Sequence, residues 1–260
     1  MSKKERSLRV EGVVIKHQDW GEADRLLIIF TREIGKIRTI AKGVRKPRSR
    51  KAGHLEPFTR ASLLLAKGRD FYILTQAEAI DTYDSIKDNL VNLSYASYVV
   101  ELLTSFTYEG EENRDLYRLV TNTLSRLNQG DSPEILIHYY EIRLLDYAGF
   151  RPQLFECTRC HNEILPENQF FSAVQGGIFC PKCGRNDPQS HPISTGALKY
   201  LRHFQRSSYK DASRAKIKPE VSIEIERIMY YYLTHVLEKD LKTPSFLKRM
   251  KYESSQSKKV

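Results

Sequence analysis

All four cysteines of this 260-residue chain fall in two pairs, Cys157-Thr158-Arg159-Cys160 and Cys180-Pro181-Lys182-Cys183, with nineteen residues between them. No other feature restricts the fold as much. A tight CxxC turn presents two thiolates to one ion, and two such turns at this separation match a tetrahedral four-cysteine zinc site. Phe170, Phe171, Ile178 and Phe179 supply the two short strands of a zinc ribbon, with turns at Gly176-Gly177 and Gly184. One structural Zn2+ held by Cys157, Cys160, Cys180 and Cys183 is therefore expected. Four thiolates close the coordination sphere, so such an ion braces the fold and has no open position for activating water. Two disulfides would suit an oxidising compartment, and a redox CxxC needs no partner pair, so both readings rank below zinc. His161 and His191 lie near the pairs and are lesser candidates as substitute ligands.

The hydrophobic pattern changes period along the chain. Residues 8–81 read as five strands: Leu8–Lys16, Leu26–Thr31, the residues after a hairpin at Gly35, Phe58–Ala66 and Phe71–Ala79. Turns are expected at Asp19-Trp20-Gly21-Glu22 and Lys67-Gly68-Arg69-Asp70. In the third strand Ile37, Thr39 and Ala41 face opposite to Lys36, Arg38, Ile40 and Lys42. Five strands with no convincing helix between them favour a small antiparallel barrel of the OB-fold type over a parallel α/β sheet.

From about residue 85 the period becomes helical. Leu93, Ala96, Val100, Leu103 and Phe106 mark one helix face, and Leu116, Leu119, Val120, Leu124 and Leu127 a second, ending at Gly130. Asp131-Ser132-Pro133-Glu134 opens a third helix with a capping hydroxyl and a first-turn proline, and that helix stops near Gly149. Two more are expected at 195–206 and 219–240, the last with Ile225, Ile228, Met229, Tyr232, Leu233 and Val236 in one stripe. The fold class is α+β in two domains: a barrel over 1–82, and a helical domain over 83–245 with the ribbon inserted at about 155–190. A flexible basic tail follows over 246–260.

Charge is distributed as unevenly as periodicity. The formal net charge is +10, of which residues 1–60 carry +9 and residues 239–260 carry +5, leaving −4 between them. A basic module ahead of a mildly acidic body points to a polyanion-binding surface. The segment Ile40–Lys51 concentrates it, with Lys42, Arg45, Lys46, Arg48, Arg50 and Lys51 and no acid, while Gly43 and Pro47 keep it from being helical. Such a loop follows a phosphate backbone while Phe71 or Tyr72 on the barrel stacks on bases. Lys16, Arg25 and Arg38 on neighbouring strands extend the patch.

No catalytic motif accompanies these features. Gly35-Lys36 has Phe30 where a phosphate-binding loop needs glycine, there is no GxGxxG, HExxH or GxSxG, and the seven histidines are scattered. A binding protein is expected rather than an enzyme, with no small-molecule substrate. No apolar run approaches the roughly 18 residues of a membrane span, and the charged start does not resemble a signal peptide, so a cytoplasmic location and no membrane partner are expected.

The order Gly21-Glu22-Ala23-Asp24-Arg25-Leu26, then Ala41-Lys42-Gly43-Val44-Arg45-Lys46, then a helical body with a four-cysteine ribbon resembles the RecO family of bacterial recombination mediators, from about residue 8 to 245. The resemblance implies an N-terminal OB-fold, a helical domain carrying the ribbon, and a non-enzymatic, nucleoid-associated role in recombinational repair. It further implies binding of single- and double-stranded DNA, annealing of complementary strands and, with RecR, loading of RecA onto DNA coated by single-stranded DNA-binding protein. The DNA surface implied includes Arg25, Lys42, Arg45, Lys46 and Arg48; Arg38, Arg50 and Lys51 join it on the charge pattern above. Some members lack the cysteines, so the metal is not essential to the shared activity. Members also contact the acidic tail of single-stranded DNA-binding protein through the helical domain. An RNA- or ribosome-associated barrel-and-ribbon protein is the alternative, since such a barrel also suits RNA.

Overall fold

The computed structural model describes residues 7–244. The chain divides at Gln129/Gly130 into two compact units. In the first, β1 (Ser7–Trp20), β2 (Asp24–Thr31), β3 (Gly35–Ala41), β4 (Arg60–Lys67) and β5 (Tyr72–Asp81) close a barrel in the order β1-β2-β3-β5-β4. Every seam is antiparallel except β3–β5, which is parallel through Thr39↔Tyr72 and Ile40↔Ile73. This is OB-fold topology, in which one parallel seam closes an otherwise antiparallel sheet.

The barrel interior follows from period two. Ile37, Thr39 and Ala41 are buried while Arg38 between them is exposed, and Val10, Val14, Leu27, Ile29, Leu63, Leu65 and Leu74 join Ile37 in the core. Several strand ends differ from the sequence expectation, β2 for one starting at Asp24 rather than Leu26. β1 continues to Trp20 because Asp19 and Trp20 pair with Arg25 and Asp24, so only residues 21–23 turn. β4 starts at Arg60, since Phe58 sits at a φ of 69° that no strand accommodates, and β5 runs on to Asp81.

Helices α1 (Asp84–Lys87), α2 (Leu90–Phe106) and α3 (Arg114–Gln129) complete this unit. Asn89 caps α2, its side chain accepting from the N–H groups of Val91 and Asn92. The sequence pattern changes from strand to helix near Asp81, whereas the compact unit extends to Gln129. Specific contacts hold these helices to the barrel. The Tyr117 hydroxyl on α3 donates to Glu11 Oε1 on β1 at 3.0 Å, and burial together with the Glu11 charge holds that phenol well above its usual range. At the β2–β3 hairpin the Gly110 N–H donates to the Lys36 carbonyl at 2.9 Å. Lys36 Nζ donates to the carbonyls of Thr104, at 2.9 Å, and Thr107, placing a cation where the end of α2 presents unsatisfied acceptors.

Gly35 makes that approach possible. It sits at a φ of 66°, and a Cβ there would overlap the Glu111 carbonyl. Gly35→Ala combines left-handed strain with a backbone clash, and a loss of about 2–4 kcal/mol is expected in urea unfolding. An unchanged midpoint would show that residues 109–111 are not fixed against the hairpin.

The second unit contains α4 (Pro133–Tyr147), β6 (Gln169–Ser172), β7 (Gly177–Phe179), α5 (Pro181–Gly184), β8 (Ser190–Ile193), α6 (Thr195–Arg206), α7 (Tyr209–Ala212) and α8 (Pro219–Leu237). Pro133 opens α4, but the Ser132 hydroxyl does not cap it; the backbone carbonyl of Ser132 accepts the Leu136 N–H at 3.1 Å instead. On α8 the stripe Ile225, Ile228, Met229, Tyr232 and Leu233 is buried, and the helix stops at Leu237 with Glu238 at a φ of 51°. The ribbon sheet has the order β7-β6-β8. It is joined to α8 by the Phe171 and Tyr232 rings, 5.3 Å apart and edge-on, and by the Tyr231 hydroxyl, which donates to the Gln189 carbonyl at 2.6 Å. The third strand β8 and the one-turn helices α1, α5 and α7 are too short to leave a periodic signal in the sequence. The expected basic tail over 246–260 lies outside the described residues.

Candidate functional site

The four-cysteine cluster is built by the ribbon hairpin. The pairs Phe170↔Phe179 and Phe171↔Ile178 set β6 against β7, and Cys180 follows directly. The first knuckle is pinned to the same strand by the Thr158 N–H, which donates to the Ile178 carbonyl at 2.9 Å. Within the knuckles the His161 N–H donates to the Cys157 carbonyl at 2.8 Å, and the Cys183 N–H to that of Cys180 at 3.0 Å.

The four sulfurs consequently converge. All lie within 4.8 Å of one another, and those of Cys160 and Cys180 are 3.8 Å apart. Four thiolates at ~2.3 Å from one tetrahedral ion stand about 3.8 Å apart, so the donor set has both the composition and the spacing of a metal centre. Burial opposes ionisation of Cys157, but N–H groups of Cys160, Cys180 and Arg159 outweigh it and draw the thiol down to about 6. Cys183 is pushed up to about 12 by desolvation and by the three neighbouring sulfurs. Sulfurs this close ionise together only beside a cation, so metal loading expels protons and weakens as pH falls. Around them Arg159 donates to Asp187 Oδ2 at 2.6 Å and to the Cys183 carbonyl at 2.9 Å, with its guanidinium 4.5 Å from the Phe179 ring centre. His161 and His191 stay outside the sulfur cluster; His191 packs on Tyr231 at 4.3 Å.

The basic surface forms at one end of the barrel. Loop 42–51 folds back on the β1–β2 turn: the Gly43 N–H donates to Asp24 Oδ1 at 2.7 Å, and the Arg45 N–H to the Ala23 carbonyl at 2.9 Å. The eight basic residues read from the sequence then separate by environment. Arg25 lies between Glu56 at 3.0 Å and Asp19 at 3.5 Å. Arg45 pairs with Asp19 at 3.3 Å and reaches the carbonyls of Gly21 and Glu22. Arg38 pairs with Glu109 at 2.7 Å, and Lys51 donates to the carbonyls of Lys42 and Leu74. These four have partners within the barrel unit. Lys42, Lys46, Arg48 and Arg50 are exposed and form no ion pair among the described residues, so their charge is uncompensated. Lys16 is also exposed, on β1 opposite Ile28.

Of the two aromatic candidates, Tyr72 packs against the barrel core, whereas Phe71 is half-buried beside Trp20, ring centres 6.3 Å apart. Sequence reading missed Trp20, assigned to a turn, and Lys67 and Arg69, which flank the β4–β5 turn and are exposed. Barrel closure brings these positions together; no local spacing signals it.

Barrel and ribbon together define a class of protein: an OB-fold with a basic loop, four of whose cations form no ion pair among the described residues, followed by a helical unit carrying a ribbon whose four cysteines cluster at metal-binding distance. Residues 3–83 match the family described as "Recombination protein O N terminal", and residues 87–245 match "Recombination protein O C terminal". The chain belongs to the recombination protein O (RecO) family, which places it in DNA repair by recombination. It is similar to the DNA repair protein RecO of Roseiflexus sp. (strain RS-1), with 37% identity over 244 residues covering 94% of this chain and 86% of that one. The DNA repair protein RecO of Dehalococcoides mccartyi (strain ATCC BAA-2266 / KCTC 15142 / 195) is 35% identical over 239 residues, 92% of this chain and 94% of the relative. That of Desulforamulus reducens is 32% identical over 247 residues, 95% and 96% respectively. No helix among the described residues is long and apolar enough to cross a membrane.

Proposed function

We propose that the chain is a cytoplasmic, non-enzymatic recombination mediator. It binds single- and double-stranded DNA at the basic end of its barrel, anneals complementary single strands and, with RecR, helps load RecA onto DNA coated by single-stranded DNA-binding protein. The observation that carries this reading is the loop bearing Lys42, Lys46, Arg48 and Arg50, exposed and without acidic partners among the described residues, at the end of an OB barrel. Annealing requires neither nucleophile nor nucleotide. Cations between two strands lower the repulsion of their phosphates and release condensed counterions, after which base pairing supplies the driving force. Arg25, Arg38, Arg45 and Lys51 set the positions of the loop and of the outer strand face.

The metal of the ribbon is Zn2+, in keeping with four thiolates at tetrahedral spacing. When bound it supplies cross-linking of two knuckles and no chemistry on DNA. Binding measured by the anisotropy of a labelled single strand tests the DNA reading: with about six phosphates neutralised, log affinity should fall against log salt with a slope of roughly −4. A slope near zero, or a preference for RNA without annealing, would favour the RNA-binding alternative.

A groove in the second unit suits the acidic tail of single-stranded DNA-binding protein. It is an open groove of about 1010 Å³ lined by Phe155, Leu165, Leu198, Lys199, Arg202 and Arg206, with Glu156 and Glu163 also on its wall. The Arg206 guanidinium lies 3.6 Å from the Phe155 ring centre, so cations border an apolar floor. Lys199→Glu with Arg206→Glu should weaken binding of that tail peptide by about tenfold or more; equal affinity in wild type and variant would place the tail elsewhere.

A further inference from the structure

The outer face of β1, β2 and β3 is not the polar surface usual for a solvated barrel. Antiparallel partners share a face, so the pairings Lys16↔Ile28↔Arg38 and Gln18↔Leu26↔Ile40 place three aliphatic side chains among polar ones, and Leu26, Ile28 and Ile40 are only half-buried. At its edge Trp20 is 44% exposed. Phe71 comes to meet it from the β4–β5 turn, the rings edge-on at 65°. The Arg38 guanidinium, paired with Glu109, lies over the Phe71 ring 5.1 Å from its centre. Gly68 lets Phe71 take this place, because a Cβ there would overlap the Phe71 carbonyl. A large indole left in water beside a braced phenyl ring serves no core.

We infer that Trp20, positioned by Phe71 and Arg38, is a stacking platform for a base of single-stranded DNA and gives the barrel its preference for unpaired over duplex DNA. The inference deepens the DNA-binding reading and rests on it. Loop 42–51 grips phosphates, which strand and duplex share; the indole grips a base face, which only an unpaired strand offers. OB barrels present nucleic acid on this strand face and on the β1–β2 and β4–β5 loops, the loops that flank Trp20 and Phe71. Lys67 and Arg69, both exposed on the second of these loops, provide phosphate contacts next to the platform.

Trp20 is the only tryptophan in the chain, so its emission reports this site alone. The full-length protein is titrated with an oligothymidine of about 20 nucleotides and with a duplex of the same length, reading label anisotropy for binding and indole emission for stacking. The strand should quench Trp20 strongly and the duplex little. Trp20→Ala should lower affinity for the strand about tenfold while leaving duplex affinity within about twofold, and Trp20→Phe should restore most of the difference. Phe71→Ala, which keeps the indole but removes its support, should reduce the quenching. Binding at unchanged Trp20 emission would overturn the platform and leave the DNA reading intact. No anisotropy change with either DNA would overturn both.

Discussion

The loop variant K42Q/K46Q/R48Q/R50Q is expected to bind single-stranded DNA several hundredfold more weakly than wild type near 0.1 M salt. Each phosphate contact to a single strand contributes about −0.7 to the log–log salt slope, so four lost contacts remove about three orders of magnitude relative to 1 M salt and make the slope about three units shallower. The stability of the barrel should hardly change, because these side chains have no ion pairs among the described residues to lose and surface substitutions of this kind stay within about 0.5 kcal/mol. Arg45→Gln is the informative contrast. It removes the links to Asp19 and to the Gly21 and Glu22 carbonyls, so it should release the loop as well as one charge. Affinity and salt slope, measured by anisotropy with unfolding as the control, distinguish the two. A quadruple variant that binds like wild type would move the phosphate contacts off this loop.

Cys157→Ser is expected to have the largest effect on stability. Cys157 is the buried member of the sulfur cluster, and its replacement leaves three thiolates and a neutral hydroxyl that is a far weaker metal ligand than a thiolate. A ribbon of three strands of three or four residues has too little core to persist unbraced. Binding of structural zinc by small domains is worth about 10–16 kcal/mol of coupled folding free energy. The zinc-to-protein ratio should fall from one to near zero, and the second unit should lose several kcal/mol in denaturant, with Phe171 and Phe179 exposed. Chelator treatment of wild type should reproduce this, more readily at low pH, where protons compete for the thiolates. DNA binding by the barrel should survive at temperatures where the second unit is still folded. A variant that keeps its zinc and its stability would remove Cys157 from the ligand set.

Legibility in the sequence depended on how local the determining physics was. The cysteine pairs were legible because each knuckle is a four-residue turn with its own spacing, and Phe170, Phe171, Ile178 and Phe179 indeed form the paired strands behind them. The barrel strands were legible because one buried face enforces period two. Their ends were less so: Asp19 and Trp20 look like a turn but are drawn into β1 by pairing with β2, a partner the local composition does not reveal. Ser132 illustrates the reverse error, a residue of capping type whose hydroxyl does not cap. At the basic end composition located the loop, but not which charges are compensated. Asp19 and Glu56 reach Arg25 from separate parts of the chain, and Trp20 meets Phe71 across some fifty residues. Such meetings are set by closure of the barrel, and only three-dimensional register displays them.

The central claim is most directly tested by annealing complementary DNA strands coated with single-stranded DNA-binding protein, without ATP, comparing no added protein, wild type and K42Q/K46Q/R48Q/R50Q. Acceleration by wild type that the loop variant loses is the expected result. No acceleration by folded, zinc-replete wild type would contradict annealing as the activity of this chain.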